Sequence, residues 1–93
     1  MAYGDNGIET GWLIEATQNE YDVLIRAGCK FDSFPVWWNG IDGTIATIAN
    51  PEWTSDCNQA VRFSRKEDAY RVISGWGYSP VNHWFMATSH EWG

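Results

Sequence analysis

The sequence predicts an α+β domain, a small antiparallel sheet with one main amphipathic helix packed on a face. Three observations carry this. Ala69, Val72, Ile73 and Trp76 recur at helical spacing and make one apolar stripe. Short runs rich in β-branched and aromatic residues lie on both sides of that stripe. Their order is strand, ambiguous element, hairpin, short strand, helix, strand, which suits an antiparallel sheet covered by a helix. Ninety-three residues make a single domain, 1–93, with a real but modest core.

Residues 1–10, MAYGDNGIET, are polar, carry Gly4 and Gly7, and read as a loose leader. Trp12–Thr17 is the first strand. Trp12, Ile14 and Ala16 share one side, and Leu13 beside Glu15 implies a second side only partly buried. Asn19–Gly28 admits two readings. Asn19 can cap a short helix ending at Gly28, with Tyr21, Leu24 and Ile25 on one face. Alternatively, Tyr21, Val23 and Ile25 alternate as a strand after a Gln18-Asn19-Glu20 hairpin loop. The helix is preferred.

Cys29–Pro35 is a connector, because Pro35 disfavours helix at Phe34. Val36–Trp38 is a strand ending at the turn dipeptide Asn39-Gly40. Thr44–Ala49, a β-branched run, is its expected hairpin partner, closed by Asn50-Pro51. Thr54-Ser55-Asp56 suits a turn or a single helical turn capped by Asp56. Ala60–Phe63 reads as a short strand. Ser64 and Glu67 form an S-x-x-E capping box that opens a helix running to Gly75, with Glu67 and Arg71 as an i,i+4 pair. Gly75 or Gly77 supplies the left-handed residue that ends it. After a Gly77–Pro80 loop, Val81–Glu91 is the last strand.

The formal net charge is −6 and unevenly spread. Residues 1–59 hold nine acids and two bases, residues 60–93 three acids and four bases. Direct nucleic-acid binding is disfavoured, since phosphate neutralisation needs a basic patch. An acidic surface suits a basic protein partner, or simply keeps a Trp-rich protein soluble. Two cysteines, Cys29 and Cys57, are too few for a disulfide framework. No signal peptide or membrane-spanning run is visible, so the expectation is a cytosolic, reduced protein.

No chemistry-bearing motif emerges. Cys29, Cys57, His83 and His90 lack the spacing of a metal site. Glu67 and Asp56 are expected in caps rather than as a catalytic pair, and no nucleophile-elbow or phosphate-loop motif occurs. His90 is read as a packing residue of the closing strand rather than a general base. Arg62, Lys66 and Arg71 are read as a solvated face rather than an anion site. No cofactor is expected. The adjacent Trp37 and Trp38 must face opposite sides of a strand, so at least one lies outside the main core. That makes them candidate partner anchors, since Trp dominates interface energetics.

Three pieces of the chain carry a resemblance. They are Trp12–Glu15; then Trp53, Thr54, Asp56, Ala60, Phe63, Arg65, Asp68 and Ala69; then Ala87, Thr88, His90 and Trp92. In this order they resemble the WxIE, WTxD-x3-AxxF-xRxxDA and ATxHxW motifs of small uncharacterised phage and prophage proteins. The resemblance covers about half the chain. Residues 18–50 depart from it, and Ser89 stands where Glu is usual. It implies phage origin, and with it an association with anti-CRISPR and other anti-defence proteins. The expected function is therefore a non-enzymatic protein of the host cytoplasm that binds and inhibits a bacterial host or defence protein. Its expected contacts are Glu20, Asp22, Asp32, Trp37, Trp38 and Asp42. A second reading is a nucleotide- or sugar-sequestering protein with a Trp-lined pocket. A third is a homodimer through the sheet edge.

Overall fold

The structure is a computed structural model and describes residues 9–41, 46 and 51–92. Its elements are β1 (Glu9–Ala16), α1 (Gln18–Arg26), β2 (Trp37–Trp38), β3 (Trp53–Thr54), α2 (Lys66–Gly75) and β4 (Phe85–Trp92), with a 3-10 turn at Cys57–Gln59 between β3 and α2. The strands form one antiparallel sheet in the order β3-β2-β1-β4, and α2 packs on β4 and β1. The α+β architecture expected from the helix stripe is thus present.

Cross-strand partners share a face of a sheet, so the register sorts the side chains. Ile14 lies opposite Ala87, Ala16 opposite Phe85, and Trp38 opposite Trp53. These turn toward α2, where Ile14, Ala16, Val36, Trp53, Ala69, Ile73 and Phe85 make the core. Val72 and Trp76 complete the helix stripe from its edges. Aromatic rings fill much of this core. Trp53 stacks on Phe85 at 5.5 Å, and Trp76 and Tyr78 meet the same Phe85 ring edge-on at 5.2 and 5.0 Å. Trp38 reaches Trp76 at 5.3 Å. Such pairs add about 0.5–1.5 kcal/mol beyond their buried area.

The ambiguous segment is the helix α1. Its cap is Thr17, not Asn19: the Thr17 hydroxyl accepts from the Glu20 backbone N–H. Thr17 also donates its hydroxyl to the His83 carbonyl and its N–H to the Trp84 carbonyl. One residue thereby ends β1, starts α1 and holds the approach to β4. Gly28, at φ 103°, closes the helix in the left-handed region.

Several boundaries differ from the sequence expectation. Glu9 and Thr10 belong to β1 rather than to a leader, because β4 is long enough to pair with them. Leu13 is fully buried, so the second face of β1 is closed at its middle. Ala60–Phe63 is not a strand: Phe63 makes a single bridge to Trp12, exchanging both backbone bonds at 2.8 Å. The Ser64/Glu67 capping box does not form. Pinned at Phe63, the chain stays extended through Arg65, and α2 starts at Lys66 without a side-chain cap. The ion pair of this helix is Arg65–Asp68 at 3.0 Å rather than Glu67–Arg71. Gly77, at φ 96°, is the glycine that ends α2. Val81–Trp84 is not strand. The Asn82 side chain accepts from the Trp84 and Phe85 N–H groups and donates to the Ser79 carbonyl, folding residues 79–84 into a turn. β2 pairs with β1 and β3. The Thr44–Ala49 strand falls outside the described residues, Ala46 apart, which is not in a strand. Asp56 does cap the 3-10 turn, accepting from Asn58 N–H at 3.0 Å.

Two stability outcomes follow. Ile73→Ala deletes a fully buried side chain between α2 and the sheet, and urea unfolding is expected to show a loss of about 2–5 kcal/mol. Gly40 and Gly77 both have positive φ, but only at Gly40 would a Cβ meet a neighbour, the Val61 Cγ2 at 2.9 Å. Gly40→Ala is therefore expected to lower the melting temperature more than Gly77→Ala; equal shifts would contradict this packing.

Candidate functional site

Helix α1 buries none of its residues completely. Tyr21 and Leu24 lean on the core, as does Phe31 in the loop that follows. The rest of the helix faces outward. Ile25 is 42 % exposed and Phe34 is 46 % exposed, large values for such side chains. They are joined through Tyr21, which is one helical turn from Ile25 and meets the Phe34 ring edge-on at 4.8 Å. Tyr21 also touches Phe31 at 5.8 Å. Ile25 and Phe34 are thus exposed apolar side chains on either side of the half-buried Tyr21.

Acidic residues lie on the same helix and loop. Glu20 and Asp22 lie on the first half of α1, and the exposed Asp32 lies in the loop between Phe31 and Phe34. Asp22 accepts from the Gln18 amide at 2.8 Å. Burial, and secondarily the Glu52 carboxylate, raise the Glu20 carboxyl above its ordinary value of 4.5. Arg26 follows in the last turn of the helix, where a cation complements its dipole.

Of the six expected contact residues, Glu20 and Asp22 lie on α1 and the exposed Asp32 in the loop that follows it. Trp37 and Trp38 do face opposite sides of the sheet, but both are used in packing. Trp37 is 9 % exposed. Its Nε1–H donates to the Glu15 carboxylate at 3.0 Å, and its ring meets His90 edge-on at 5.5 Å. His90 Nε2 lies 3.0 Å from the Thr88 hydroxyl. Trp38 is half-buried against Phe63 and Trp76. Asp42 falls outside the described residues. Sequence reasoning did not single out Ile25 and Phe34 as exposed side chains. The helical spacing of Tyr21 and Ile25 was visible, but it reads equally well as a core stripe.

A cleft of about 320 Å³ opens elsewhere, lined by Cys57, Asn58, Ala60 and Arg62. Cys57 and Cys29 are both free thiols. Among the described residues no group of three or more His, Cys, Asp or Glu side chains is placed to hold a metal ion. Among them, too, no helix is long and apolar enough to cross a membrane.

The raised Glu20 carboxyl sets a sign for pH dependence. Above 4.5 the folded protein holds this proton more tightly than the unfolded chain does, so stability falls as pH rises through the window. Glu20→Gln is expected to be more stable than the parent at neutral pH, with the difference closing below the ordinary carboxylate value. Thermal unfolding across pH checks this; a difference independent of pH would contradict it. Compared with protein-family models, with curated proteins and with solved structures, the chain gives no significant match.

Proposed function

We propose that this is a non-enzymatic, phage-derived protein that binds and inhibits a bacterial host or defence protein in the host cytoplasm, in the manner of an anti-CRISPR protein. The observation that carries the reading is the exposure of Ile25 and Phe34 beside Tyr21, on the same helix and loop that carry Glu20, Asp22 and Asp32. Aromatic and aliphatic anchors inside a charged rim are the usual anatomy of a protein-binding patch. The net charge of −6 favours a basic surface on the partner. Ile25 and Phe34 also lie within residues 18–50, where the chain departs from the phage proteins it resembles.

The second reading, sequestration of a small ligand, has the Cys57–Arg62 cleft in its favour. Its volume lies within the range of small-molecule sites. Its lining is mixed, with Asn58 and Arg62 beside Cys57 and Ala60, rather than the tryptophan expected from the sequence, and Arg62 favours an anionic ligand.

Affinity capture from a bacterial lysate, followed by mass spectrometry, tests the first reading. A protein partner is expected, and Phe34→Ala is expected to weaken its binding by about 2 kcal/mol, roughly thirtyfold in Kd. Added salt should weaken it further, since acidic contacts are screened. Capture of no protein, or undiminished binding by the variant, counts against the reading. A nucleotide or sugar phosphate that raises the melting temperature would favour the second.

A further inference from the structure

The two edges of the sheet are built differently. β3 is two residues long and runs directly into the 3-10 turn. β4 is eight residues long, contains no proline or lysine, and pairs with β1 without a bulge from Phe85 to Trp92. Short length, proline, lysine and bulges are the devices that keep an edge from pairing with another chain. β3 has the first of them, and β4 has none.

Hydrogen-bond parity shows which groups that edge presents. Trp12 exchanges its backbone bonds with Phe63, and the Ala16 N–H goes to the Val36 carbonyl. Even-numbered residues of β1 therefore point away from β4, and odd-numbered ones point toward it. Their partners Met86, Thr88 and His90 point back at β1. Ala87, Ser89 and Glu91 consequently direct their N–H and C=O groups off the edge. Among the described residues, no backbone hydrogen bond is made to them on that side.

We propose that β4 is a self-association edge, and that two copies of this chain pair β4 antiparallel about a two-fold axis at Ser89. This register matches Ser89 with Ser89 and Ala87 with Glu91, so each outward N–H faces an outward C=O. Neighbouring registers do worse. Centring on Ala87 calls on the Phe85 N–H, which already donates to Asn82 at 2.7 Å. Centring on Glu91 sets two carboxylates face to face. Charge also favours a second copy at this place. Glu91 is the only formal charge on β4, so two chains of net charge −6 approach along their least charged long strand.

The test is analytical ultracentrifugation of the full chain over a concentration series, at low and high salt. The mass is expected to rise toward that of a dimer with concentration, and to do so earlier in high salt, which screens the net charge. Ser89→Pro removes an outward N–H without touching the β1 ladder, a position where edge strands tolerate proline. Ser89→Lys leaves the backbone intact and sets two ammonium groups opposite each other. Both variants are expected to remain monomeric with the parent's circular dichroism spectrum; should Ser89→Pro unfold, Ser89→Lys decides. A parent that stays monomeric up to millimolar concentration overturns the proposal, and so does a Ser89→Lys variant that dimerises as the parent does. The outcome is independent of the α1 reading: Phe34→Ala leaves self-association unchanged, and salt acts with the opposite sign on the two contacts.

Discussion

Leu13 and Ile14 are neighbours in sequence, point to opposite sides of the sheet, and are both fully buried. Each contributes on the order of 1.5–3 kcal/mol when removed from water, but only if both sides of β1 are covered. That requirement organises the molecule. β1 sits inside the sheet, with β2 on one side and the full length of β4 on the other. α2 and the aromatic core close the Ile14 side. On the Leu13 side the Trp37 and His90 rings meet edge to face, and Glu15 holds the Trp37 indole in place. Thr17 then stops the strand and starts α1 at once, and Tyr21 and Leu24 of α1 pack against the core.

The core is built from rings more than from aliphatic chains. A chain of ninety-three residues has little interior, and each indole or phenyl ring fills a large share of it. Trp53, Trp76, Phe85 and Tyr78 meet around a single point, and Trp38 and Phe63 extend the cluster toward β1. One consequence is polar. Among the described residues the buried Trp53 Nε1–H finds no hydrogen-bond partner, a cost of about 1–3 kcal/mol that the stack on Phe85 and the burial of the ring offset. The tryptophans that looked available for a partner are thus consumed by the fold. The large apolar side chains left exposed on α1 and its loop include Ile25 and Phe34, while Tyr21 between them still packs against the core.

Legibility in the sequence followed the range of the interaction. The α2 stripe could be read because Ala69, Val72, Ile73 and Trp76 sit at fixed offsets on one helix, and any sheet would cover them. The Asp56 cap and the end at Gly77 are equally local. The Ser64/Glu67 box is local too, yet it lost. Phe63 is tied to Trp12, fifty-one positions away, and the extended path that bond imposes delays the helix to Lys66. The C-terminal strand begins four residues later than its alternating pattern suggests, for a related reason. Asn82 bonds the Trp84 and Phe85 N–H groups from its own side chain, and an alternating pattern says nothing of such a turn. For the candidate site, the acids Glu20, Asp22 and Asp32 could be named from charge alone, whereas exposure could not. Tyr21 with Ile25 looks like a core stripe until Ile25 is seen to be exposed.

The sequence by itself determined the class of fold, the identity of the main helix and its buried face, the helical preference of the α1 segment, and the opposite facing of Trp37 and Trp38. All rest on backbone periodicity and on residues close in the chain. Only the tertiary structure decided that β1 is central, that Trp37 belongs to Glu15 and His90, that β4 is the last strand of the sheet among the described residues, and that Phe34 is about half exposed. Those depend on which strands pair and on how the rings pack between them, which residues distant in the chain decide together.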